Sequence, residues 1–158
     1  MAKSSMRKSE EFEFYYQELG NKENKFFENM KDVYMMATAV GFKAGKSLAF
    51  SKSAGEDISL RYFSDDDKKI MDLIALSITD DISILLSDDE YQEKKYKLME
   101  EYANGGMKIM VEAFCKPVVD ISEFYKFVEA FEGNAEVARK INIVDLLQGA
   151  IDSFSTGK

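Results

Sequence analysis

No histidine occurs among the 158 residues, and cysteine and proline occur once each. Without imidazole there is no His-based general acid or base, no Ser-His-Asp or Cys-His nucleophile and no histidine metal ligand, and one thiol cannot build a zinc cluster. Most familiar enzyme chemistries are excluded on this count. Cys115, within Val111-Glu112-Ala113-Phe114-Cys115, cannot close an intramolecular disulfide. Its apolar neighbours predict a small buried side chain, and its isolation fits a reducing, cytoplasmic setting. No stretch approaches the roughly 20 apolar residues of a membrane span. The start Met1–Lys8 leads into Glu10, Glu11 and Glu13 instead of an apolar segment, so a secretory signal is not expected either.

What the sequence does contain is core material and negative charge. Hydrophobic residues make up 46% and aromatics 13%, and 21 Lys and Arg against 29 Asp and Glu give a net charge of −8. A chain of this length is expected to fold as one domain with a sizeable core. Residues 1–8 carry Lys3, Arg7 and Lys8 with no acid and read as a mobile basic arm, leaving 9–158 as a single helical domain. The acidic body is not expected to track phosphates, so direct nucleic-acid binding is disfavoured.

Apolar periodicity predicts an all-α fold, an irregular bundle of six or seven helices, with one short strand or extended segment near 46–63. A short helix through Phe12, Tyr15, Tyr16 and Leu19 ends at Gly20-Asn21. A longer helix runs from about Asn24 to Phe42, and Ile58–Tyr62 is the candidate strand. Ser64-Asp65-Asp66-Asp67 is a strong helix start, with Ile70, Leu73, Ile74 and Ser77 expected inward. Asp80-Asp81 opens a helical turn over Ile82–Leu86, and Ser87-Asp88-Asp89-Glu90 reads as a capping box before a helix lined by Tyr91, Lys95, Leu98 and Tyr102. Asn104-Gly105-Gly106 is expected to stop or kink that helix, with a new segment from Met107 to Pro117. Asp120 caps a helix through Ile121, Phe124, Tyr125, Val128 and Phe131, ended by Gly133-Asn134; a last helix covers about Asn142–Phe154.

Few constellations suggest chemistry. Gly41-Phe42-Lys43-Ala44-Gly45-Lys46-Ser47 superficially matches a phosphate-binding loop. It has three residues between its glycines where four are needed, and a helical pattern precedes it instead of a strand. A helix C-cap explains it better. The acidic clusters lack calcium-loop spacing, so no metal and no cofactor is expected. From Glu56 to Glu101, however, 14 acids and 6 bases give 6 − 14 = −8, a face that could dock on a basic protein, with Asp65, Asp66, Asp88 and Asp89 as its exposed members. Tyr15, Tyr16 and Phe27 belong to an N-terminal aromatic crowd larger than two short helices can bury, which points to an aromatic contact surface.

Two blocks carry a family resemblance: Lys31-Asp32-Val33-Tyr34-Met35-Met36-Ala37-Thr38-Ala39-Val40-Gly41-Phe42-Lys43, and Met99-Glu100-Glu101-Tyr102-Ala103-Asn104-Gly105-Gly106. Together they resemble the small proteins associated with DNA phosphorothioation (Dnd) gene clusters of bacteria. The resemblance spans about Lys31–Met110 and brings no catalytic residue with it. It implies a non-catalytic accessory or adaptor subunit of a prokaryotic DNA-modification or restriction system, in antiphage defence. Such a subunit would contact a larger protein of the complex. Glu100, Glu101, Tyr102 and Asn104 are the candidate contact residues in the second block; the same residues also read as a plain helix end whose glycines permit close packing. A membrane partner is not expected and a homo-oligomer stays open. The competing expectation is an acidic DNA mimic that inhibits a nuclease or restriction enzyme, and a small carboxylate-dependent hydrolase is a third class.

Overall fold

A computed structural model of the chain describes residues 3–21, 23, 26–50, 52–115 and 119–132. Among these residues it is mainly helical, with five α-helices and one two-stranded antiparallel sheet. In chain order these are β1 (Ser5–Met6), α1 (Glu13–Leu19), α2 (Met30–Ala44), β2 (Ile58–Ser59), α3 (Asp65–Thr79), α4 (Asp89–Phe114) and α5 (Ile121–Glu132). Short 3-10 turns at Glu10–Phe12, Leu60–Tyr62 and Ile82–Leu85 link them. The long helix α4 is the axis of the bundle and packs most extensively on α2. Between and around these two helices lies the core, which includes Tyr34, Met71, Met99, Met107, Met110 and Phe114.

Among the described residues the helices number five where six or seven were expected for the chain, and part of the reason is local. Asn104-Gly105-Gly106 does not interrupt α4, which runs unbroken for 26 residues. Two helical glycines cost about 1 kcal/mol each relative to alanine. Here both lie against other backbone, Gly105 at Lys46 and Gly106 at Ala37, and the packing they admit outweighs the propensity. The expected helix at about 142–154, the stop of the preceding helix at Gly133-Asn134 and the break at Pro117 lie outside the described residues.

Other boundaries follow from capping. Helix α2 starts at Met30, later than expected, because the Asn29 side chain accepts the Asp32 amide at 3.1 Å. It ends in a Schellman arrangement. Gly45 is left-handed at φ 65°, its N–H donates to Phe42 O at 3.1 Å, and the Lys46 N–H donates to Gly41 O at 2.8 Å. The loop resembling a phosphate cradle is therefore this helix cap. Ser64 forms the expected cap: its hydroxyl accepts the Asp67 amide at 3.0 Å, and the Asp67 carboxylate accepts the Ser64 amide at 2.9 Å. Ser87, by contrast, is not a cap. Helix α4 begins one residue later behind Asp88, whose side chain makes no capping bond.

The inward stripes are also displaced by about one residue. In α3 the buried set is Ile70, Met71, Ile74 and Ala75, in place of one including Leu73 and Ser77. The first half of α4 buries Lys95, Tyr96, Met99 and Ala103, while Tyr91, Leu98 and Tyr102 are only half-buried. In α5 Phe124 and Phe127 pack on the core, while Ile121 and Tyr125 face outward.

The expected N-terminal arm is docked from Lys3 onward. Ser5 and Met6 pair with Ser59 and Ile58, and Met6 and Lys8 are buried. Met6 supplies an apolar anchor, Lys3 and Arg7 beside it meet Glu100, and Lys8 pairs with Glu13 at 2.8 Å. Among the described residues of the 46–63 segment, Ile58–Ser59 is strand, Ser53 makes an isolated bridge to Ser9, and Leu60–Tyr62 turns into a 3-10 helix.

Candidate functional site

The two family-like blocks meet where α2 crosses α4. Gly41 lies against the backbone of Tyr102 and Gly106, and a Cβ on either glycine would overlap a carbonyl oxygen of the facing helix. Phe42 and Tyr102 close one side of the crossing edge to face, with ring centroids 6.3 Å apart. Glycine here lets backbones approach closer than any side chain would allow. The most recognisable residues of the sequence are thus explained largely by packing.

Beside the crossing sits Glu100, 1% exposed. A carboxylate so deep in a core needs counter-charge and hydrogen bonds, and the N-terminal segment provides both. Lys3 Nζ lies 2.6 Å from Glu100 Oε1, the Arg7 amide donates to Oε1 at 2.9 Å, and the Arg7 guanidinium donates to Oε2 at 3.1 and 3.2 Å. The hydrogen bond to Glu100 raises the Arg7 pKa above its ordinary value. Burial pushes the neighbouring Tyr34 phenol well up. This group therefore fastens β1 to α4, and Glu100 offers no carboxylate to a partner.

The other predicted contact residues divide. Asn104 is buried, donating from Nδ2 to Leu48 O at 2.9 Å. Glu101 and Tyr102 are half-buried, and Glu101 accepts from Ser47 Oγ at 3.4 Å. Tyr16 is in the core, stacked on Tyr34 at 6.3 Å, so it belongs to no contact surface. Phe27 packs edge-on against Phe124 at 6.0 Å. Tyr15 is half-buried, and its neighbour Phe14 is the exposed aromatic of α1. The aromatic crowd is absorbed because α5 adds a third surface, with Phe124 also meeting Phe26 and Phe114 at 5.4 and 5.1 Å. Asp65 and Asp66 are exposed at the start of α3, and Asp88 and Asp89 are exposed beyond its end. Helix α3, 15 residues and roughly 22 Å long at 1.5 Å per residue, has the first pair at its start and is followed by the turn that leads to the second.

A cavity of about 520 Å³ lies between the first turn, residues 48–50 and 52, and α4. Its wall carries Glu10, Glu11, Lys52 and Lys108. Lys52 already pairs with Glu10 at 3.0 Å, so the lining selects neither an anion nor a cation. Among the described residues no group of three or more Asp, Glu or Cys could hold a metal.

The surface feature that sequence reasoning missed lies between α3 and α4. The 3-10 turn Ile82–Leu85 buries Ile84 but leaves Ile82, Leu85 and Leu86 at 62%, 38% and 49% exposure. Asp80, Asp81, Asp88, Asp89 and Glu90 flank it, all exposed. The signal was present as four apolar residues in a turn too short to bury them.

The chain is thus mainly helical, its recognisable residues lie at a helix crossing, and an apolar turn stands in an acidic surround. The family model described as DNA sulphur modification system-associated protein 4 matches residues 5–143. The chain belongs to that family, which agrees with the Dnd-associated resemblance. No curated protein and no solved structure matches it. No helix among the described residues is long and apolar enough to cross a membrane.

Proposed function

We propose that the chain is a non-catalytic accessory or adaptor subunit of a prokaryotic DNA-modification and restriction system, acting in antiphage defence. It works in the cytoplasm by contact with a larger protein of that system. Membership of a family associated with DNA sulphur modification gives the setting. The observation that carries the mode of action is the exposed apolar turn Ile82–Leu86 in its acidic surround. An apolar centre with a polar rim is the usual construction of a protein–protein contact.

That same turn favours protein contact over DNA mimicry. Duplex phosphates present a row of charges with no apolar side chain among them, whereas here three apolar side chains occupy the middle of the acidic run. Direct binding of duplex DNA by the acidic body is not part of the function.

Isolation of the tagged chain from its native host under non-denaturing conditions tests the proposal. The expected result is stoichiometric co-elution with a protein of the DNA sulphur-modification system. Elution of the chain alone or only as a homo-oligomer, at low and moderate salt, would overturn it.

A further inference from the structure

We infer that the turn Ile82–Leu86 is the docking element, and that it fits a partner protein offering an apolar pocket rimmed by lysine and arginine. The inference rests on the accessory-subunit reading and gives it a place and a chemistry. Its first support is construction. The buried Ile84 anchors the turn between α3 and α4. The Asp81 carboxylate accepts the Ser83 amide at 2.9 Å, and Gln92 Nε2 donates to Leu86 O at 2.6 Å. Ile82 and Leu86 are thus presented on a fixed scaffold, which lowers the ordering cost of binding.

The second support is charge. Between Asp80 and Glu90 the sequence has five carboxylates and no lysine or arginine. The Ser83 amide holds the Asp81 carboxyl below its usual range. A partner surface of the same sign would be repelled, and a basic one attracted. The third is backbone conformation. Asp80 sits left-handed at φ 51°, the one non-glycine residue with positive φ among those described. It is the C-cap of α3, and its N–H donates to Leu76 O at 2.8 Å. Here it sets the abrupt exit from α3 that raises the turn.

Photo-crosslinking tests the assignment. A photoreactive phenylalanine replaces Ile82 or Leu86, and for comparison Phe14 or Tyr125, in the full chain. Each variant is mixed with the purified proteins of the same sulphur-modification system. Crosslinks from positions 82 and 86 to a system protein, at a segment flanked by lysine or arginine, are expected. The double variant Ile82→Asp/Leu86→Asp, with an unchanged melting temperature, should bind that protein about tenfold or more weakly. Raising salt to about 0.5 M should slow association of the unaltered chain. Crosslinks from 14 or 125 alone would overturn the docking element while sparing the accessory role. So would a crosslink within the chain to residues 133–158, because the turn would then be covered in cis. Absence of association with every system protein would remove both readings.

Discussion

Single atoms decide the most recognisable part of this chain. Gly106 has no Cβ, and one would overlap the carbonyl oxygen of Ala37. Gly106→Ala should therefore destabilise by roughly 3 kcal/mol or more, the upper end of overpacking costs, read as a lowered urea midpoint. Gly55→Ala, where a Cβ meets nothing within 4 Å, should stay within about 0.5 kcal/mol of the parent. Equal effects would mean that the crossing of α2 and α4 is looser than described. Cys115 provides a second check at this scale. Burial pushes its thiol pKa up to about 12, so it should resist a disulfide reagent at pH 8 and react only on unfolding. Rapid modification of the native chain would show that the core there is open. The sequence made the buried thiol legible from its neighbours. It predicted a stop or kink at Asn104-Gly105-Gly106, because local propensity favours one and only the facing backbone, on which both glycines pack, overrides it.

Elements begin and end where side chains take up backbone groups. Ser64→Ala should cost about 1 kcal/mol, since Ser64 Oγ holds the Asp67 amide, whereas Ser87→Ala should be close to neutral because Ser87 caps nothing. Reversed effects in denaturation would relocate the two helix starts. Asp67 adds a pH dependence. Its burial alone would raise the carboxyl pKa, but the hydrogen bonds from Lys31 Nζ at 2.6 Å and from the Ser64 amide outweigh it, and the pKa lies below the ordinary 3.8. A carboxyl whose folded pKa is depressed stabilises the fold above the unfolded pKa and loses that contribution as pH falls through the folded value. Asp67→Asn should thus be less stable than the parent at pH 7, with the gap closing below about pH 4. A gap that is constant down to pH 2.5 would contradict the pairing with Lys31. Most elements were legible from periodicity and caps, including α3, the Ile82 turn and α5. Stripe phase was less so: a one-residue displacement, as in α3, is set by the neighbouring helix, which periodicity does not identify.

Across the whole molecule, the N-terminal segment and α4 are coupled through Glu100. Basic composition suggested a free arm; what composition could not show is a buried carboxylate 93 residues away that takes up Arg7. Lys3→Ala/Arg7→Ala should destabilise by roughly 2–3 kcal/mol. That is the low side of the range for an orphaned buried charge, because Arg7 is 44% exposed and partly screened. A melting temperature unmoved by the double substitution would return the segment to the status of an arm. The candidate site was legible in part. The acidity around Asp88 and Asp89 was visible as composition, but the exposed apolar centre at Ile82 and Leu86 required knowing that the turn spends only Ile84 on the core. The family residues 100–104 drew attention as a contact region, yet Glu100 and Asn104 are buried there. The most direct measurement is a paired titration against the system protein that co-elutes with the chain. Ile82→Asp/Leu86→Asp should weaken binding about tenfold or more while Glu101→Gln leaves it unchanged; the opposite pattern would place function at the helix crossing and contradict a role for the turn.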